Sequence, residues 1–428
     1  MTTTALTPLI PTDARPQVLD TVAAARAADS ALSPADPGPR QPGRTGPRTR
    51  AVRAGITTDS SHGAVIPPLY LSVSYAFDGL DGRGRYDYSR SGNPTRDLFA
   101  AAVADLEAGT TGCITGSGMG AITATVNALV PAGGTLLAPV DCYGGSWRLF
   151  DALQRTGRLS LRLVDTSDPG AIASAITEGC DLLWLETPSN PLLRITDVAA
   201  AASAAHRAGA VVVADNTFAG PVLQRPLELG ADVVVHSATK YLNGHSDVVS
   251  GAVVTADPGL GTDIAWWANT LGVTGAPFDS YLALRGLRTL HLRMAEAQRN
   301  AAAVADTLVA HPAVRAVHYP GLADHPQHAL AARQMDGFGA VVTMELAGLE
   351  EVRALVDGLR CFALAESLGG MESLISHPAT MTHAGMAPQA RDAAGITDGM
   401  VRLSLGIEEA TDLVDDLEAG LDRVLALG

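Results

Sequence analysis

The sequence predicts an α/β fold in which a parallel sheet is covered by helices and followed by a smaller α+β domain. From about residue 97, short β-branched runs alternate with helix-period segments. From near Ser280 the pattern changes to a long helix, widely spaced strands and a closing amphipathic helix. Length and composition agree. The 428 residues, 47% apolar, 18% charged and 4% aromatic with 44 glycines, describe a globular chain of small, close-packed side chains.

Residues 1–50 hold 8 of the 25 prolines and bury too little apolar surface to offset ordering entropy, so a mostly disordered Pro-rich arm is expected there, with a helical turn around Val18 to Ala28. Its four Asp beside six Arg argue against a transit peptide. The strands expected next are Thr135 to Val140, Leu159 to Val164, Leu182 to Leu185, Val211 to Ala214, Val233 to Val235 and Gly251 to Thr255. The clearest helix runs from Val198 to Ala208, with Thr196 or Asp197 as N-cap and Gly209 as its stop. In the second domain one helix is expected over Tyr281 to Leu308, with strands at Val314 to His318, Ala340 to Glu345 and Val401 to Leu405. A final helix, Glu408 to Leu427, carries Leu413, Leu417, Leu421 and Val424 on one face. The expected divisions are 1–50, 51–96, 97–290 and 291–428.

Thirty Lys and Arg against forty-five Asp and Glu leave a formal charge of −15, which repels phosphate backbones and anionic membranes. Nucleic acid and membrane are therefore not expected partners. Four cysteines without a CxxC pair, no apolar run of membrane-spanning length and no signal-peptide pattern lead to free thiols and a cytoplasmic location as expectations.

The chemistry-bearing segments sit at strand ends, where ligands bind in open α/β sheets. Val233 to Val235 leads into His236-Ser237-Ala238-Thr239-Lys240. There a lysine of lowered pKa can form a Schiff base, and Ser237 and Thr239 can meet a phosphate. Alone, Lys240 reads as a solvated lysine. Asp215, ending Val211-Val212-Val213-Ala214, is either a turn cap or an acid for a pyridine nitrogen, and its pairing with Lys240 favours the second. Gly116-Ser117-Gly118-Met119-Gly120 before an apolar helix from Ala121 to Leu129 suits an anion at a helix N-terminus. Tyr143, in Asp141-Cys142-Tyr143-Gly144-Gly145, is either a packing residue or an aromatic face for a flat ring. Arg402, interrupting an apolar strand, suits an α-carboxylate or an internal ion pair.

Together these residues resemble the transsulfuration enzymes of Cys/Met metabolism that use pyridoxal 5'-phosphate, over roughly residues 50 to 428. The motifs that carry the resemblance are Tyr88 to Thr95, Asp215-Asn216-Thr217, Ser237 to Tyr241, Ala365 to Gly370 and Met381 to Ala384. The resemblance implies the aspartate-aminotransferase-like fold (fold type I), with a mainly parallel seven-stranded sheet in the cofactor domain 97–290. Residues 51–96 would then contact a neighbouring subunit. Lys240 would be the Schiff-base lysine and proton shuttle, and Asp215 the partner of the pyridinium nitrogen. Tyr143 would stack on the ring and help deprotonate the incoming amine. Phosphate contacts would come from Gly118, Met119, Ser237 and Thr239, and from Tyr88 and Arg90 of a neighbouring subunit in a dimer of dimers. Arg402, Asn190, Ser367 and Glu366 would hold the amino-acid substrate, and no metal is expected.

Within the family, Asp141 to Ser146, Ala265 to Asn269, Gly272 to Gly275, Glu366 and Ser373 to His377 look most like the cystathionine γ-synthase branch. Gly145 stands where methionine γ-lyases carry a cysteine. The expected reaction is γ-replacement on an O-acylated homoserine by cysteine, giving L-cystathionine, with γ-elimination from cystathionine or another γ-substituted amino acid as the alternative. Ser91 stands where some bacterial synthases have a second arginine, which leaves the leaving group open.

Overall fold

The computed structural model describes residues 45–427. Most of the Pro-rich stretch, including the helical turn expected at Val18 to Ala28, lies outside the described residues. Its last residues do not continue as an arm, because a helix begins at Pro47 and runs to Arg53, with proline in the first turn. The helix Pro94–Leu106, capped by Asn93, likewise crosses the division expected at 96/97.

Seven strands form the first sheet: β1 (Thr111–Thr115), β2 (Thr135–Pro139), β3 (Ser160–Val164), β4 (Leu182–Glu186), β5 (Val211–Asp215), β6 (Val233–Ser237) and β7 (Gly251–Thr255), in the spatial order β1-β7-β6-β5-β4-β2-β3. All pairs are parallel except those of β7, which runs antiparallel to β1 and β6. Both faces are covered, so the central strands are continuous apolar runs up to the polar residues at their carboxyl ends. Leu136, Trp184, Val213, Val235 and Val253 pack on one side, while Leu137, Leu183, Leu185, Val212 and Ala214 pack on the other. The architecture is mixed α/β with a mostly parallel seven-stranded central sheet, as the resemblance implied.

A second sheet, β10-β11-β12-β9-β8, comprises β8 (Ala316–His318), β9 (Val341–Glu345), β10 (Ala363–Leu364), β11 (Leu374–Ser376) and β12 (Met400–Ser404). The closing helix Ala410–Leu425 lays Leu413, Leu417, Leu421 and Val424 into the core.

Three strands escape the sequence reading. β1 (Thr-Gly-Cys-Ile-Thr) contains a glycine that reads as a breaker. Gly112 is needed there because a Cβ would lie 2.4 Å from the Ala100 carbonyl of the covering helix. β10 and β11 have two and three residues, too short for a period to register. The helix expected over Tyr281 to Leu308 is two helices, Pro277–Leu287 and Leu290–Ala310. The Gly286 carbonyl accepts from Thr289 Oγ1 and Arg293 Nη2, which end the first helix by side-chain capture of its last carbonyls. Asp197, not Thr196, caps the helix Val198–Arg207, accepting from the Ala200 N–H at 2.9 Å. The four cysteines are free thiols, and no described helix is long and apolar enough to cross a membrane.

Candidate active site

Lys240 follows β6 in a tight turn. Its Nζ donates to Ser367 Oγ at 2.6 Å. Burial, seconded by the charge of Arg402 and opposed by that of Glu366, brings the amine down from 10.5 to about 8. Arg293 holds the turn by donating from Nη1 to the Tyr241 carbonyl, and Gly244 (φ 71°) leaves room for its guanidinium, on which a Cβ would fall. Among the 30 lysines and arginines of the chain, Lys240 is the only lysine.

Asp215 ends β5 directly opposite Glu186 at the end of β4. Both are buried. Asp215 Oδ1 accepts from the Thr217 N–H at 3.0 Å and from Thr217 Oγ1, and that hydroxyl oxygen accepts from the Ser237 N–H at 2.9 Å. Burial raises the Asp215 carboxyl, while the Thr217 bonds and the charge of His236 pull it down. Glu186 is pushed well up by burial and then by Asp215, and its Oε2 accepts from the Tyr143 N–H at 2.8 Å. Two adjacent buried carboxyls that form no ion pair among the described residues are suited to a protonated ring nitrogen.

Beside this pair the helix Gly118–Leu129 points its N-terminus at Ser237. Ser117 caps it by accepting from the Gly120 N–H, and the first N–H groups have no intrahelical acceptor. Gly118 lies so close to Ser237 that a Cβ would stand 2.9 Å from the Ser237 Cβ. Glycine here opens the cradle in which backbone N–H groups approach an anion. Thr239 exchanges hydrogen bonds with the backbone of Ser250.

Arg402 in β12 is buried, with Nη1 donating to Asn190 Oδ1 at 2.9 Å and Nη2 to the Ser367 carbonyl at 2.8 Å. Its Nε has no partner, and among the described residues it forms no ion pair. That observation weighs against the internal ion pair. Burial lowers the guanidinium to about 10. Ser367 joins the two ends, since its φ of 108° aims Oγ at Lys240 and the carbonyl at Arg402. Tyr143 heads the helix Gly144–Arg155. Burial raises its phenol, against the charges of Arg148 and Arg402 and with those of Glu366 and Glu186. Glu366 is exposed.

Tyr88 and Arg90 stand apart from this group. Both are exposed, the Arg90 guanidinium lies 5.6 Å from the centre of the Tyr88 ring, and its Nε donates to Asn269 Oδ1 at 3.1 Å. The sequence reading passed over Glu186, Arg293 and Arg148. Glu186 carries the same signal as Asp215, an acid ending an apolar strand, and the solitary lysine was countable. Arg293 gives no signal, because it acts from a helix 53 positions downstream of Lys240.

The donor set fits pyridoxal 5'-phosphate. A near-neutral amine, a buried acid pair awaiting a cation, and a helix N-terminus opened by Gly118 answer the aldehyde, ring nitrogen and phosphate of that cofactor. Fold and site define a fold-type-I enzyme dependent on this cofactor.

A family profile described as "Cys/Met metabolism PLP-dependent enzyme" matches residues 48–422, and the chain belongs to that family. It is 52% identical over 373 residues to the cystathionine gamma-synthase of Escherichia coli, covering 87% of this chain and 97% of the relative. It is 47% identical over 376 residues to the cystathionine beta-lyase of Coxiella burnetii, with coverage of 87% and 97%. The crystal structure of cystathionine gamma synthase from Xanthomonas oryzae pv. oryzae in complex with cystathionine superposes with a TM-score of 0.89 at 57% identity, over 90% of this chain and all of that one.

Proposed function

We propose that the enzyme catalyses γ-replacement on an O-acylated homoserine, with cysteine as the nucleophile and L-cystathionine as the product. The observation that carries this reading is the bridge Lys240–Ser367–Arg402, which sets a proton-transferring amine beside a fork for an α-carboxylate. When bound through Lys240, the cofactor supplies an electron sink that makes the substrate Cα and Cβ protons removable. Arg402, with Asn190, orients the substrate by its carboxylate. Lys240, freed from Ser367, removes the Cα proton and serves next at Cβ and on the leaving side. Asp215 pairs with the protonated ring nitrogen, and burial together with Asp215 biases Glu186 toward its neutral form. Tyr143 keeps its proton in the cofactor-free state, so its action on the incoming amine requires a bound charge that lowers it. Met119, whose sulfur lies 2.9 Å from where a Gly145 Cβ would stand, contributes its N–H to the phosphate.

The charge of Arg148 reaches the Tyr143 phenol, and Arg148 is exposed at the mouth of the site. It compensates for Ser91 by offering a cation to an acyl group with a distal carboxylate, which favours a succinyl leaving group over acetyl. The exposure of Tyr88 and Arg90 supports their service to a neighbouring subunit's phosphate. Similarity to the cystathionine gamma-lyase of Dictyostelium discoideum, 42% identical over 377 residues, keeps γ-elimination as the second reading.

Lys240→Ala is expected to abolish the visible absorbance of the bound cofactor, and an unchanged band would refute the assignment. Product analysis with O-succinyl- and O-acetyl-homoserine, with and without cysteine, tests the reaction. Consumption without a thiol adduct would establish elimination instead.

A further inference from the structure

Behind the ends of β5 and β6 lies a buried polar chain that the proposed chemistry does not use. Glu107, following the helix Pro94–Leu106, is fully buried. Its Oε1 accepts from Asn216 Nδ2 at 2.8 Å and lies 2.6 Å from His236 Nε2. Asn216 is the residue after Asp215, and His236 is the residue before Ser237. The chain continues through Gln224, whose Nε2 donates to Asn216 Oδ1 and to the Thr187 carbonyl, and on to Gln334, which donates to Gln224 Oε1.

A buried polar pair stabilises a core no better than apolar residues of the same volume, so burial of the Glu107 side chain calls for a positional reason. β5 and β6 are paired at only three positions, Val213–Val233, Ala214–Val234 and Asp215–Val235. Beyond them two bonds still join the chains, from the Asn216 N–H to the Val235 carbonyl and from the Ser237 N–H to Thr217 Oγ1, before the turns that carry Thr217 and Lys240 diverge. The cofactor carries its phosphate on a short arm from the ring, so ring nitrogen and phosphate span only a limited range, and a spacing of Asp215 from Ser237 already within that range favours binding.

We propose that Glu107 is a positioning residue for the cofactor: by engaging Asn216 and His236 together it staples the ends of β5 and β6, fixing Asp215 and Ser237 at the span the cofactor requires. The inference rests on Asp215 and Ser237 as cofactor contacts and is independent of whether replacement or elimination follows.

The test compares Glu107→Ala, Glu107→Gln and Asn216→Ala with the natural protein. It reads the melting temperature of the cofactor-free form, the cofactor Kd by equilibrium dialysis, and the visible circular dichroism of the bound cofactor. Losing a buried acceptor predicts a Kd raised about tenfold or more in Glu107→Ala, with altered dichroism. Glu107→Gln keeps the acceptor oxygen and stays within about threefold of the natural Kd. A folded Glu107→Ala protein with natural Kd and dichroism overturns the proposal, as does a Glu107→Gln protein as weak as Glu107→Ala. Should Glu107→Ala not fold, Asn216→Ala removes the Asn216 arm of the staple, together with the Asn216–Gln224 bonds, while leaving the His236 arm, and an unchanged Kd there overturns it equally. Asp215→Asn separates the two levels. If it leaves Kd unchanged, the reading of Asp215 fails and the staple with it. If it weakens binding while Glu107→Ala and Asn216→Ala do not, the staple alone fails.

Discussion

The lowered pKa of Lys240 is open to direct measurement because the chain has no other lysine. In the cofactor-free enzyme its amine titrates at about 8 instead of 10.5. At pH 7 about a tenth of it is then neutral, against roughly 0.03% for an ordinary lysine, a gain of about 300-fold in the nucleophilic form. Competitive trace acetylation across pH 6–11, read by peptide mass spectrometry, gives the midpoint without interference, since the α-amino group falls in a different peptide. The perturbations have opposite signs. Arg402→Met removes a positive charge that disfavours the ammonium, so the midpoint rises. Glu366→Gln removes a negative charge that favours it, so the midpoint falls. Burial is the larger cause, so Arg402→Met does not return the value to 10.5. A midpoint above about 10 in the natural protein, or shifts of reversed sign in the variants, would refute the reasoning.

Arg402→Lys keeps the charge but loses the fork that holds Asn190 and Ser367. KM for the amino-acid substrate should rise about 10- to 100-fold with cofactor absorbance retained, by steady-state kinetics, and an unchanged KM would contradict the carboxylate assignment. Gly145→Ala places a Cβ 2.4 Å from Tyr143 Cε1 and 2.9 Å from Met119 Sδ. The displaced ring should lower kcat/KM about tenfold or more, and a crystal structure should show Tyr143 moved. Burial holds His325 and His383 at about 4 instead of 6.5, so the unfolded chain binds more protons between those values and stability is lost as pH falls from 6.5 to 4. Each contributes up to about 3 kcal/mol to that loss. His383→Asn should flatten the cofactor-free stability profile in that window by denaturant titration, and a variant profile parallel to the natural one would count against it. The buried acids, raised by desolvation, work in the opposite direction and are common to both proteins.

What the sequence made legible follows the range of the forces involved. Strands β2, β4, β5, β6 and β7 were readable because a strand buried on both faces is an unbroken apolar run, and Lys240 and Asp215 because they end such runs. Arg402 was readable because a guanidinium in an apolar strand has to answer to something. Glu107, His236, Asn216 and Gln224 were not, because each looks ordinary alone and becomes a unit only through contacts as much as 129 residues apart. The split at Arg288 and Thr289 was hidden for a related reason. Side-chain capture of the Gly286 carbonyl leaves the helical period of the flanking residues intact.

On the proposed roles of these residues, the charge distribution also sets the direction in which an amino acid would enter. Arg402 acts on Lys240, His383 and Tyr143, while Asp215 acts on Glu186, which also reaches Tyr143. A substrate docked in reverse would forgo the Arg402 fork and leave its Nε unpartnered. Docked forward, it answers Arg402 and leaves the acid pair to a cation. The net charge of −15 bears on neither end, because interactions across solvent are screened within about 10 Å whereas these groups are buried. Orientation therefore comes from three or four desolvated groups, and it should persist in high salt even where the encounter rate does not.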